Sequence, residues 1–222
     1  MKFLFLALAI APLLLPLIFK LDKKIFINGN FKMMFGGSLV SCIVFSALLL
    51  VQYLLGIITY NTPEATFRDI PIAQYLLIFT FSLVGVSLYQ YLNLKFPKND
   101  LQKYSLALSN LLLGLCVAFL FFAYNKWYTL STFATLLLLL LLIEYVGKLR
   151  FMYKAYRAFL VMLVPFQIIY TVLFWNDIIT LNNAHISGMR VLKVPIENHF
   201  TLLAIMLVSI YMFEFFKSKR AA

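Results

Sequence analysis

Seven stretches of this chain run for seventeen residues or more with almost no charge: 3–19, 33–53, 71–92, 104–123, 127–143, 158–175 and 196–213. Only the last holds a charged side chain, Glu197. About 20 apolar residues in a helix cross a bilayer core, because an unpaired backbone amide there has no water to turn to. The chain is 64% hydrophobic and 12% charged. A soluble domain carries about 25% charged residues, so this one has too few charges for a soluble surface. The pattern predicts an all-α integral membrane protein with seven transmembrane helices, forming a single membrane domain over 1–222. The first run has signal-peptide length, but Pro12 follows Ala11 and the apolar stretch continues to Phe19. It is read as a retained helix.

The net charge of +11 serves orientation rather than nucleic acid. Basic residues collect in alternate loops: Lys20, Lys23, Lys24 and Lys32; Lys95, Lys98 and Lys103; Lys148, Arg150, Lys154 and Arg157; Lys217, Lys219 and Arg220. The other loops hold Arg68, Lys126, Arg190 and Lys193. By the positive-inside rule the N-terminus lies outside and the C-terminus in the cytoplasm, in an inner membrane crossed several times. Cys42 and Cys116 both sit in apolar runs and read as small packing residues. No cluster has metal spacing and no glycine-rich loop follows a strand, so no metal and no cofactor is expected.

Polar punctuation reveals an internal repeat. GIITYNTPEATFRDIPIAQYLL, residues 56–77, parallels DIITLNNAHISGMRVLKVPIENHFT, residues 177–201. Each has Ile-Ile-Thr, one residue, then Asn. Each reaches a Pro-Ile step before an apolar helix, the second copy with three extra residues. Downstream, Gln90 corresponds to Glu214; upstream, KLDKK corresponds to EYVGK. Helices 1–3 (about 1–93) thus match helices 5–7 (about 127–217), with a linking helix over about 101–124. Four helices separate the copies, so the repeat is parallel.

Pro195 suits a first helical turn, and Glu197 then lies near the positive end of the helix dipole. A favourable first-turn acid is one explanation. The matching residue in the first copy is Ala73, so the fold has no general need for an acid there.

The runs PLIFKLDKKIFINGNFK, IPIAQYLLIFTFSLVGVSLYQYL and NNAHISGMRVLKVPIENHFTLLAIMLVSIYMFEFF resemble the lycopene cyclase domain family, small membrane carotenoid cyclases found as paired half-size subunits or one fused chain. The resemblance covers nearly the whole chain, closely in the second half and loosely in the first. It implies a lipophilic polyene as substrate or ligand and a homo- or hetero-oligomer in the bilayer. In that family each half carries proline, one residue, then an acid, often followed by a second acid. Here Pro195 and Glu197 are kept and Asn198 stands in the second acid's place. In the first copy Ala73 and Gln74 replace both, and Gln52 is the polar residue nearest to another acid usual in the family.

The reaction so implied is an isomerisation: a protonated acid adds its proton to a terminal double bond, the tertiary cation is attacked by a neighbouring double bond, and a proton is lost. Glu197 is the candidate acid, with Asn198 and Asp177 beside it as catalytic candidates. Burial would keep such a carboxyl protonated, whereas the helix dipole and an approaching Arg190 would favour the anion. Pro195, Arg190, Asn183, Phe200 and Gln74 are candidates for substrate binding, and aromatic faces such as Phe200 and Tyr170 for softening the cation. Glu214 lies 17 residues beyond Glu197, about 26 Å along a helix, and is expected to pair with Lys217. Glu144 is expected to pair with Lys148, and His199 to be structural. The alternative is a non-catalytic carotenoid-binding or membrane-complex subunit of the same fold. A retinal photoreceptor is excluded by the absence of lysine from 196–213.

Overall fold

A computed structural model describes residues 3–19, 30–98, 102–147 and 151–221. The KLDKK segment, Lys148 and Arg150 lie outside the described residues, and so do the expectations resting on them. The chain is a mostly helical, multi-pass membrane protein, and six helices among the described residues are long and apolar enough to span. The first apolar run is not one helix. It forms α1 (Leu4–Ile10), a 3₁₀ turn (Ala11–Leu13) and α2 (Leu14–Phe19). Pro12 lies in the turn, where it lacks the N–H that a continuous α-helix would use and crowds the carbonyl four residues back.

The remaining elements are α3 (Phe31–Leu54), β1 (Ile58–Tyr60), β2 (Thr66–Phe67), β3 (Ile70–Pro71), α4 (Ile72–Lys95), α5 (Ser105–Phe122), α6 (Trp127–Leu141), α7 (Met152–Trp175), β4 (Ile179–Leu181), β5 (Arg190–Val191), β6 (Val194–Pro195) and α8 (Ile196–Ala221). A π-turn, Leu142–Val146, closes α6. Gly147 ends it, where a Cβ would stand 2.7 Å from the Ile143 carbonyl oxygen.

The core lies where α3, α4, α7 and α8 meet, with α1 packed on α4 and α6 on α8. α4 has 72% of its apolar window buried, whereas α5 has 11% and packs mainly on α6, so α5 is peripheral. Water provides no driving force between helices in lipid, so close contact is set by small residues and interhelical hydrogen bonds. Gly37 lets α3 approach α8 so closely that a Cβ there would sit 2.8 Å from the Ser209 carbonyl oxygen. Ser41 donates to the Ile205 carbonyl at 2.9 Å, and Thr80 to the Ala9 carbonyl at 2.8 Å.

The two loop segments that match in sequence meet each other. β1 and β4 pair antiparallel about Thr59 and Thr180, whose hydroxyls lie 2.6 Å apart. The bonds around them are reciprocal: Asn61 N–H donates to the Ile178 carbonyl at 3.0 Å and Asn182 N–H to the Ile57 carbonyl at 2.9 Å. Each loop then makes a tight hairpin, β2–β3 or β5–β6, whose two turn residues are left-handed: Arg68 and Asp69 in the first, Leu192 and Lys193 in the second. Two-residue hairpins of this hand match strand twist. Ile72 N–H bonds Ala65, and Ile196 N–H bonds Met189, both at 3.0 Å. The helices before these loops, α3 and α7, are each 24 residues long.

Candidate active site

The β5–β6 hairpin delivers Pro195 to the start of α8, and the first turn of that helix turns inward. Glu197 is fully buried there. Its Oε1 accepts two hydrogen bonds at 2.7 Å, one from the Thr129 hydroxyl on α6 and one from the Ser187 backbone N–H. Its Oε2 is buried and has no hydrogen-bond partner among the described residues. Ser187 lies in the loop segment that is longer by three residues in the second copy, so the insertion supplies one of the two donors.

Next to this carboxyl, on the line between the halves, lies a cavity of about 50 Å³. Equivalent positions, 121 apart before the hairpins and 124 apart after them, face each other across it: Phe45 and Phe166, Ile58 and Ile179, Gln74 and Asn198. The chamber therefore has matching walls, one from each half. Phe81, Phe166 and Tyr170 form an aromatic cluster along it, with ring centroids 4.4 to 6.3 Å apart. Desolvation pushes the Tyr60 phenol well above its usual range, so it faces the cavity as a neutral group. Asn198 accepts a hydrogen bond from the Tyr128 hydroxyl at 3.0 Å, and the Gln74 side-chain oxygen is buried with no partner among the described residues.

Residues 125–216 match the family model for lycopene cyclase. That stretch of the chain is similar to the lycopene cyclase family. It spans α6, α7, the three loop strands β4, β5 and β6, and most of α8, the half that carries Glu197. No curated protein and no solved structure gives a significant match.

The residues singled out from the sequence do not gather in one place. Gln74 and Asn198 line the cavity. Glu197 is one step behind its wall: its chain neighbour Asn198, and Thr201 one helical turn on, face the chamber, whereas its own carboxyl turns to Thr129 and Ser187. Asp177, Asn183 and Arg190 line a separate vestibule of about 310 Å³ beyond β4, whose Ile179 and Leu181 also wall the cavity. Arg190 donates to Asn183 Oδ1 at 2.6 Å in that exposed vestibule, and its hydrogen bonds do not include Glu197. Pro195 pairs with Arg190 in the hairpin, and Phe200 packs its ring on Phe133 at 4.8 Å, away from the chamber.

Three other acids and bases depart from or refine the sequence expectations. Glu214 accepts from the Tyr89 hydroxyl at 2.8 Å rather than pairing with Lys217, because α4 packs its tyrosine against α8. Glu144 accepts from Ser109 at 2.6 Å in the π-turn. His199 is tied to Gln167 Oε1 at 2.6 Å and to the Pro195 carbonyl at 3.2 Å, a structural brace between α8 and α7. Thr129, Ser187, Tyr128 and Tyr60 were not singled out from sequence. Tyr128 and Thr129 sit at the mouth of a leucine-rich helix, and that polar pair was the one available signal.

Proposed function

We propose that this protein cyclises the end group of a linear carotenoid by proton addition, with Glu197 as the acid. The observation that carries this reading is a fully buried carboxyl with one oxygen held by two donors and the other left without a partner, beside an aromatic-walled chamber. Oε1 already accepts two hydrogen bonds, so the transferable proton belongs on Oε2. The proton goes to the terminal double bond of the polyene. The adjacent carbon becomes a tertiary cation, a neighbouring double bond attacks it to close a six-membered ring, and loss of a proton restores neutrality. The Glu197 carboxylate left by the first step is the nearest base. Phe81, Phe166 and Tyr170 offer π-faces to the cation, each worth about 0.5–2 kcal/mol. Tyr128 and Asn198 form the wall between acid and chamber and set how the end group approaches.

A cavity of about 50 Å³ holds a few waters, at about 10–15 Å³ each, and is too small for a six-membered ring with its methyl groups. Cyclisation therefore requires the chamber to widen. The vestibule of Asp177, Asn183 and Arg190 lies on the other side of β4, and it contributes position rather than proton transfer in this reading. The basic loops support an N-terminus outside and a C-terminus in the cytoplasm of an inner membrane. The matched loops and equal helix lengths support two parallel three-helix units, with α5 as the linker.

One observation favours a second reading, a carotenoid-binding subunit without catalysis. At the two equivalent wall positions the chamber presents amides, Gln74 and Asn198, and Glu197 does not itself reach the wall. Expression in a lycopene-accumulating bacterium separates the two. New cyclic pigment that disappears in Glu197→Gln supports the cyclase. Unchanged lycopene that co-purifies in stoichiometric amount supports binding, and unchanged lycopene with no bound pigment sinks both.

A further inference from the structure

At the opposite end of the bundle from the hairpins, α5 and α7 leave an apolar groove between them. It has a volume of about 480 Å³, within the range of roughly 300–1,000 Å³ typical of ligand sites. Ala107, Leu108 and Leu111 on α5 and Leu160 on α7 form its greasy walls. Tyr156 on its α7 side is fixed from behind, its hydroxyl 2.8 Å from Ser109, which in turn donates to Glu144.

One end of the groove is capped by Arg157. Its guanidinium donates to two neutral oxygens, the Phe96 carbonyl at 3.1 Å and Asn93 Oδ1 at 3.0 Å. Its Nε is buried and without a partner among the described residues. The guanidinium also lies 5.7 Å from the Tyr153 ring and 5.9 Å from the Phe96 ring, so its neighbours orient it without neutralising it. Two groove residues have lysine neighbours in the chain: Lys103 lies over the Tyr104 ring at 5.0 Å, and Lys154 follows Tyr153. Among the described residues, Glu144 and Glu214 bond the neutral hydroxyls of Ser109 and Tyr89, and neither forms an ion pair with this guanidinium.

We propose that this groove binds an anionic glycerophospholipid, an acyl chain lying along α5 and α7 and the phosphate at Arg157. A hydrocarbon slot alone would accept any apolar chain, a carotenoid included. A guanidinium with no ion-pair partner beside the slot selects for a lipid with a net negative headgroup, and basic pockets between helices at the cytoplasmic face are suited to such lipids. This site is separate from the chamber beside Glu197 and does not depend on what that chamber does.

The test is native mass spectrometry of the full chain from micelles holding equal amounts of phosphatidylglycerol and phosphatidylcholine. The wild type should retain phosphatidylglycerol roughly five-fold over phosphatidylcholine, the effect of about one basic residue near an anionic surface. Arg157→Gln should bring the two lipids to parity, and Arg157→Lys should keep most of the preference. Ala107→Phe, which fills the groove and leaves the charge, should lose retention of both lipids. Parity in the wild type, or a preference that survives Arg157→Gln, overturns the proposal. So does retention unaffected by Ala107→Phe, which would place the lipid elsewhere.

Discussion

Two halves of this molecule build the same hairpin and the same helix start, yet only one of them holds a carboxyl in the first turn of that helix. In the second half Glu197 sits between Thr129 and the Ser187 N–H. In the first half the matching Ala73 is just as buried, at 1% exposure. The first apolar run, 3–19, has no hydroxyl side chain to match Thr129, and the first loop is three residues shorter than the one that holds Ser187. The acid and its two donors thus occur together in one half and are absent together from the other. The difference teaches that a buried carboxyl is a property of its surroundings: a duplicated backbone supplies the slot, and only local side chains make the slot tolerable for a polar group.

That contrast can be broken at four points. The largest effect belongs to Glu197→Gln, which keeps the shape and the acceptor while removing the acid. Cyclic pigment should fall by about 10²–10⁴-fold, the range for a general acid, with folded yield unchanged. Pigment formation within error of wild type would remove Glu197 from the chemistry. Next is Ala73→Glu, which places a carboxyl in the first slot without its donors. An uncompensated buried charge costs about 3–5 kcal/mol, so the variant should melt well below wild type in detergent. Wild-type stability there would mean the halves differ less than the geometry implies.

A smaller loss is expected for Thr129→Val, which removes one of the two donors to Oε1. The expected destabilisation is about 1 kcal/mol by thermal unfolding, with Thr129→Ser close to wild type. The smallest concerns the contact between the halves. Thr59 and Thr180 share an exposed hydrogen bond, so either single change to valine should cost under about 1 kcal/mol. A double-mutant cycle should show a coupling of about 0.5 kcal/mol or more. Strict additivity would reduce the hydroxyl contact to an ornament on the backbone pairing of β1 and β4.

Much of the fold was legible because membranes impose length. Each apolar run after the first became helix: α3 and α4 lie within about three residues of the expected bounds, whereas α7 starts six residues earlier and α8 runs eight residues further. The exception was the first run, where Pro12 interrupts the helix and hydropathy alone does not register a missing N–H. The Ile-Ile-Thr-x-Asn match was legible too, and its reason is now plain: the two copies hydrogen-bond to each other. The site was less legible. Glu197 stood out as the one acid in an apolar run, but its partners come from α6 and from a loop backbone, neither marked by any motif. Glu214 was assigned to a nearby lysine because sequence spacing shows neighbours on one helix; Tyr89 reaches it from another.

The sequence by itself determined that this chain spans a membrane, how often its apolar runs recur, which loop positions are equivalent, and that one half kept an acid that the other lacks. These follow from length, charge and local backbone chemistry. Only the tertiary structure decided which residues wall the chamber, that Glu197 faces Thr129 and Ser187 one step behind that wall, and that Arg157 lines a groove without an ion-pair partner. Lipid and protein core are equally apolar, so a leucine on a spanning helix carries no mark of which way it points. Facing is set by packing between distant segments, and sequence spacing on one helix does not reach across it.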